Sequence, residues 1–570
     1  MKKMKIAIFI LTFCFIFTGC NKKAQQAEST DIVNEITEET AITDDVAGEA
    51  DDDNNAESVE NAEESDENLT SEADGIRPIQ SKISSTYKAF YNDAKASGTV
   101  YEYTFNKVSL NEESAKKYPL LQKALEETYA GVEANVIGNA ERNMEDAIDW
   151  CVNYADGEYD YHFDETVKAE VIRADTNIFS ARNNFYEFMG GAHGNYGYYS
   201  NTFDTETGKE LTLTDVFTSK EELKTTIYNK LIEQYGEDAF YGTDELKDTI
   251  DTHVDRGSLI FDIDYSSVNI FFNPYDIAPY AGGLFEVNLP LKEYCGNLVY
   301  DRFVETPEEF ICPIPNGDDF YMDLDGSGRE DIIKCISEYS EDDYDYIDNI
   351  NISVNGKSFS HSTYAFDIDY YFVKSKGKYY VYGFCHIEND YVYPVVFDIN
   401  GSTPKLVEAP ENFPGIQPAG KFCDSEYNDD FHEYTTEEYV LSDPENMLMS
   451  LRSDVMSTAS AYGDFEVSEN GFPVYKYEGK PFSINSDDYV FTAKQDLEGM
   501  QVDEDGNEIG KFTLKAGTKA TYYRTDNVSY GDLLLDDGTI VRFNVDHSDW
   551  PVTVNGIDLE EAFDGIVFAG

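Results

Sequence analysis

The chain is predicted to be a multidomain protein in which an α+β domain is followed by a β-rich region and a small SH3-like β-barrel. Three observations lead to this reading. A long run of helical periodicity lies between strand-like alternations within residues 81–305. Turn signals then recur at short spacing between aromatic and aliphatic runs across 306–480. Short strands at regular intervals fill 481–570, the pattern of a barrel or sandwich.

The first twenty residues set the compartment. Lys2, Lys3 and Lys5 precede an apolar run, residues 6–17, too short to cross a bilayer core of about 30 Å as a helix. Phe17-Thr18-Gly19-Cys20 closes it and resembles the lipobox of bacterial lipoproteins. That resemblance implies cleavage before Cys20 and a membrane-tethered protein on the extracytoplasmic face, because two acyl chains on Cys20 suffice for stable anchoring. The plainer alternative is a secretory signal with an incidental cysteine. Residues 21–80 lack apolar periodicity and include Asp51-Asp52-Asp53, so they read as an acidic disordered stalk, extended by like-charge repulsion.

With 42 Lys+Arg against 112 Asp+Glu, the net charge is −70, more than a stalk can carry. Such a surface disfavours nucleic acid and anionic lipid and suits a cationic partner, through an attraction that salt weakens. Charge that serves only solubility is the bland reading. Beyond Cys14 and Cys20, six cysteines are scattered without a CxxC pair, which favours buried free thiols; Cys295 with Cys312 is among the nearest potential pairs.

Within 81–305, residues 101–110 alternate as a strand. A helix follows over about 114–154, interrupted near Pro119, with Leu120, Leu121, Leu125, Tyr129, Val132, Ala147, Ile148 and Cys151 at helical spacing. Strands return before Met189. Ser219 and Glu222 form a capping-box signature for a helix reaching about 235, and 259–272 is strand-like. The arrangement predicted is helices on an antiparallel sheet.

Between these elements Gly190, Gly191, Ala192, His193 and Gly194 make a glycine corner that enters a hairpin: a strand at 198–203, a turn at 205–208 and a second strand at 210–213. GGAHG, then FDTETGKELTLTDVF, then FFNPYDIAPYAGGLFEVNLPL together resemble the extracellular domain of the lysozyme-sensing anti-sigma factor family (RsiV-like), also appended to peptidoglycan deacetylases of the PdaC type. The resemblance covers about 95–305. It implies binding of lysozyme, a small basic protein, or more broadly a cell-wall context. The family's cytoplasmic sigma-factor-binding part has no counterpart here.

His193 lacks the partners of a catalytic or metal site, since no HxxxH, HExxH or GxSxG accompanies it; a turn-bonding histidine is the simpler role. In the block 271–283, two prolines fix the backbone and present Tyr275 and Tyr280 in rigid surroundings. They form either a recognition surface for protein or sugar, or packing over the hairpin.

Asp323-Leu324-Asp325-Gly326-Ser327-Gly328-Arg329-Glu330-Asp331 spaces oxygen donors as calcium-wrapping loops do. Asp323, Asp325, Ser327, the Arg329 carbonyl and Asp331 are the predicted ligands of a structural calcium. Lys334 stands where an EF-hand has glutamate, and the loop instead resembles those of FG-GAP or VCBS-type repeats. A metal-free Asp-Gly turn is the alternative. Turn signals at Asn355-Gly356, Gly377 and Asn400-Gly401 then predict a meander of hairpins.

The function these observations favour is a non-enzymatic, membrane-anchored surface lipoprotein. It would bind a basic protein or cell-wall polymer through Gly190, Gly191, His193, Tyr275 and Tyr280, with a lysozyme-type muramidase the sharpest candidate. A wall-modifying enzyme and a purely structural or adhesive surface protein are the competing classes.

Overall fold

The computed structural model describes residues 75–569 except 92–97, 154–161, 341–345, 389–390, 402, 412, 485–488 and 549. The leader, Cys20 and the stalk up to residue 74 lie outside the described residues. Residues 75–80, read above as the end of the stalk, are packed: Ile79 is buried and its amide donates to the Ala174 carbonyl at 2.9 Å.

The protein is β-rich and built of several open sheets. In chain order come β1 (Ser81–Tyr91), β2 (Thr99–Leu110), α1 (Glu112–Lys117), α2 (Pro119–Asn153), β3 (Phe163–Ala174), β4 (Ile178–Phe188) and β5 (Asn195–Asp204). Then follow α3 (Leu213–Val216), α4 (Lys220–Tyr235), α5 (Thr243–Arg256), β6 (Ile260–Ile263), β7 (Ser267–Phe272) and β8 (Phe285–Pro290). The next region holds β9 (Phe310–Ile314), β10 (Asp319–Met322), β11 (Asp331–Tyr339), β12 (Ile347–Val354), β13 (Lys357–Ala365), β14 (Asp367–Ser375), β15 (Lys378–His386), β16 (Val392–Asp398), β17 (Lys405–Val407), β18 (Gln417–Pro418), β19 (Gly420–Tyr427) and β20 (Phe431–Tyr439).

One seven-stranded sheet runs β19-β20-β1-β2-β3-β4-β5. The predicted antiparallel sheet needs correction at one pair: β2 and β3 are parallel. A parallel pair requires a long crossover, which α2 supplies. Leu121, Leu125, Tyr129, Val136, Ala140, Ala147 and Cys151 of α2 are its buried stripe. They pack on one sheet face with Tyr101, Tyr103 and Phe105 at one end and with Phe179 and Phe203 at the other. Leu120, read as part of that stripe, is exposed. The break at Pro119 falls as expected, with Tyr118 between the two helices.

The predicted second strand at 210–213 shrinks to a single bridge, Phe203 with Glu210. Thr212 and Asp215 form a capping box, and Asp215 takes the Thr212 amide at 2.9 Å, so the chain enters α3 instead. At α4 only half of the expected box forms: Ser219 Oγ accepts the Glu222 amide at 3.3 Å. Helices α4 and α5 cover the small sheet β6-β7-β8 around Leu223, Ile227, Leu246, Ile250, Val268 and Ile270. Helix α5 was not anticipated.

Sheets β10-β11-β12-β13 and β17-β16-β15-β14-β9 enclose a core containing Ile333, Cys335, Ile350, Phe372 and Phe397. The Asn355-Gly356 and Lys376-Gly377 turns both carry positive φ, as two-residue hairpin loops require. The remaining strands, through Phe563–Asp564, pair as one open sheet that starts at β18. Among the described residues no closed barrel is found, and the expected SH3-like barrel is not confirmed. Strand Phe482–Ile484 pairs with Ala461 and Tyr462 on one side and with Arg524 and Thr525 on the other, so pairing continues through the segment instead of closing on itself. All six described cysteines are free.

Candidate functional site

Two segments distant in sequence meet at one aromatic patch. The glycine corner links β4 to β5, with φ of +83° at Gly190 and +105° at Gly191. A Cβ on Gly190 would lie 3.0 Å from the Trp150 ring and 3.3 Å from Phe163, so the corner passes where a side chain has no room. Gly194 is tighter still, its notional Cβ 2.7 Å from Tyr186 and 2.8 Å from the Glu187 carbonyl oxygen.

The loop after β7 reaches this corner. The Asn273 side chain mimics a strand: its Oδ1 accepts the Tyr198 amide at 2.8 Å and its Nδ2 donates to the Tyr198 carbonyl at 3.0 Å. Asp276 accepts the Asn273 amide at 2.7 Å, fixing the turn that follows. Tyr280 Oη then donates to the Gly194 carbonyl at 2.7 Å, and the Tyr280 ring stacks on His193 with centroids 3.9 Å apart and planes at 20°. His193 Nδ1–H donates to the same carbonyl at 3.0 Å. Tyr196 meets Tyr280 edge-on at 5.7 Å, and Tyr275 lies 5.5 Å from it.

His193, Tyr275 and Tyr280 are therefore brought together, whereas Gly190 packs against Trp150 and Phe163 and a Cβ on Gly191 would meet nothing within 4 Å. Tyr275 is 53% exposed and holds φ at +76°, a conformation that L side chains adopt only at a cost. Tyr280 is anchored and half-buried, whereas Tyr275 is presented to solvent. Tyr186, Tyr196 and Asn273 complete the site and were not singled out from the sequence. The strand alternation of 195–204 carried a signal for Tyr196; the reach of Asn273 across 75 residues carried none.

The arrangement suits recognition. The imidazole of His193 bonds the Gly194 carbonyl and stacks on the Tyr280 ring. Nearby on the same sheet, Asp164 is pushed up to about 6 by burial and then by the charge of Glu102.

The predicted metal loop joins β10 to β11, with Met322 opposite Asp331. Carboxylate oxygens of Asp323, Asp325 and Asp331 lie within 4.8 Å of one another, a group that can hold a metal ion. Ser327 N–H donates to Asp323 and Asp325 at 3.0 and 2.9 Å, and its hydroxyl accepts the Arg329 amide at 3.4 Å. Asp323 is nearly buried and binds the Lys292 ammonium at 2.8 Å, which places a cation at the loop's most enclosed carboxylate. Despite its burial, the Asp323 carboxyl is held below its usual range by Lys292 and by the Gly328 and Ser327 amides.

The β-rich fold carries an exposed tyrosine cluster and an acidic loop. A domain of the family described as "Protein of unknown function (DUF3298)" occupies residues 214–292, from α3 to just beyond β8. This agrees only loosely with the RsiV-like resemblance. Two solved structures are similar to this chain. A DUF3298 family member from Bacteroides fragilis is 21% identical, with 40% of this chain and 95% of that one covered and a TM-score of 0.30. A DUF3298 family protein from Pseudomonas aeruginosa is 15% identical, with 41% and 97% covered and a TM-score of 0.26. No curated protein matches the chain.

Proposed function

We propose that the protein is a membrane-anchored surface lipoprotein that binds a basic protein or cell-wall ligand at the His193, Tyr196, Tyr275 and Tyr280 platform, with a lysozyme-type muramidase as its sharpest ligand. The observation that carries this reading is Tyr275: an exposed aromatic held at positive φ against an anchored partner ring. Backbone strain and apolar exposure both oppose such a placement unless a partner covers the ring. The net charge of −70 favours a cationic ligand. The lipid anchor at Cys20 and the extracytoplasmic location rest on the leader alone.

Calorimetric titration of the full chain with a basic lysozyme, at low and near-physiological salt, tests the reading. Saturable binding that survives salt and is lost in Tyr275→Ala supports it. Binding that vanishes with salt, or that an unrelated cationic protein reproduces, reduces it to charge and redirects attention to wall glycans.

The Asp323 loop is proposed to hold a structural calcium, with Asp323, Asp325 and Asp331 as carboxylate ligands in competition with Lys292. The ion would tie β10 to β11 and take no part in chemistry.

A further inference from the structure

The three edge strands β19, β20 and β1 carry a surface that the platform above does not use. Strands β19 and β20 lie well outside the matched residues 214–292, yet they extend the N-terminal sheet, with Tyr434 opposite Tyr87 and Tyr427 opposite His432. Strand alternation puts Tyr87 and Tyr91, and His432 and Tyr434, on one face, and the bulge at Cys423 brings Phe422 onto it together with Tyr427. Helix α2 packs on the other face, against Tyr101, Tyr103 and Phe105.

The six rings touch one another. Tyr87 and Tyr434 centroids are 5.0 Å apart, Phe422 stacks on Tyr434 at 5.9 Å and 25°, Tyr427 meets His432 at 5.6 Å, and Tyr91 meets Tyr427 at 6.4 Å. None belongs to a hydrophobic core of the described residues. Phe422 and Tyr427 are 57% and 73% exposed. A contiguous ring surface of this kind marks an interaction site more often than a random surface does.

Charge identifies the occupant. Of the seven acidic side chains in residues 420–439, Asp424, Glu426, Glu433 and Glu437 alternate onto the reverse face, where the one lysine, Lys421, pairs with Glu437, and Glu438 alternates onto the ring face. On the ring face itself, Tyr87 Oη donates to Glu102 at 2.8 Å, and Asp164 of β3 stands opposite Glu102. The reverse face of the hairpin shows what such surroundings hold. There the Lys88 ammonium sits 4.1 Å over the Phe431 ring and 2.6 Å from Glu433. Ring and carboxylate together bind a cation through its attraction to the π face and a charge-assisted hydrogen bond.

We propose that the ring-bearing face of β19, β20 and β1 docks a cationic polypeptide segment, whose arginine or lysine side chains stack on Phe422, Tyr427 and Tyr434 and pair with the neighbouring carboxylates. The segment adds contacts that charge alone cannot give, because the rings select cations that can lie flat and shed water, arginine above lysine. The surface is separate from Tyr275 and Tyr280, and its test does not depend on the lysozyme reading.

The test is fluorescence anisotropy of a labelled hexa-arginine peptide titrated with the full chain at about 150 mM salt, where long-range attraction is screened. The double variant Phe422→Ala/Tyr427→Ala removes two rings and no charge, from positions too exposed to matter for folding; circular dichroism confirms the fold. It is expected to weaken binding about tenfold. Tyr241→Ala/Tyr339→Ala, which removes two exposed tyrosines elsewhere, and Tyr275→Ala are expected to stay within about twofold of the parent protein, less than the loss of one ring–cation contact. The proposal is overturned by absence of saturable binding, by equal affinity in the ring variant, or by equal losses in ring and control variants. A neutral N-acetylglucosamine tetramer that binds in a ring-dependent way, while the peptide does not, would also overturn it and assign the face to saccharide.

Discussion

Tyr275 separates strain from function at a single residue. Its φ of +76° costs about 1–2 kcal/mol for an L side chain. Tyr275→Gly is therefore expected to keep or raise the thermal midpoint while abolishing ligand binding; a fall in the midpoint would show that the ring packs structurally. Tyr280 behaves in the opposite way. Tyr280→Phe removes the 2.7 Å bond to the Gly194 carbonyl and should cost about 0.5–1.5 kcal/mol, read by urea unfolding, with the ring stack on His193 retained. Asp164 gives a pH signature. Its folded pKa, about 6, lies above the ordinary carboxyl value. The folded state thus binds the extra proton between about pH 4 and 6, and the stability this group contributes is lost as pH rises through that window. Asp164→Asn should be the more stable protein at pH 7 and lose its advantage near pH 4, measured by urea titration at both values. The histidine, the two tyrosines and the glycines were legible in the sequence because Gly and Pro clusters mark exposed, constrained backbone. Asn273 was not legible, because its partner strand is brought beside it only by folding.

The loop between β10 and β11 is a self-contained element whose cluster of three aspartates was visible as a spacing. What the spacing could not show is Lys292, which arrives from beyond β8 and occupies Asp323. Calcium is expected to raise the thermal midpoint of the protein, and Asp323→Ala to abolish that rise. Lys292→Met removes the competing ammonium and should tighten calcium binding, measured by calorimetry; unchanged affinity would mean that the ion sits away from Asp323. The segment from Glu210 to Val216 teaches a related lesson. Its alternation suggests a strand, but the Thr212–Asp215 capping box satisfies the free amides of a helix start at once, and a second edge strand would have left them to water.

Across the whole molecule, Arg173 shows how distant segments are joined. Its side chain is fully buried and donates to Asp175 at 2.7 Å and to the carbonyls of Asp264, Phe303 and Glu305 at 3.1, 3.2 and 2.7 Å. It thereby ties β3 to the β6–β7 turn and to the segment that leads into β9. Arg173→Met would leave Asp175 and three carbonyls without their partner in an apolar setting, at an expected cost of about 3–5 kcal/mol in urea unfolding. A loss under about 1 kcal/mol would show that water replaces it. The sequence by itself determined the acidic character, the helix–sheet class of 81–305, the hairpins after 306 and the two halves of the aromatic platform. Each of these depends on composition, periodicity or a turn residue's own φ preference, which are local. Only the tertiary structure decided that β19 and β20 complete the N-terminal sheet, that β2 and β3 run parallel, that the C-terminal strands stay open, and that His193 meets Tyr280. Those outcomes depend on pairing between residues tens to hundreds of positions apart, where no local preference chooses the partner and burial of shared apolar surface does.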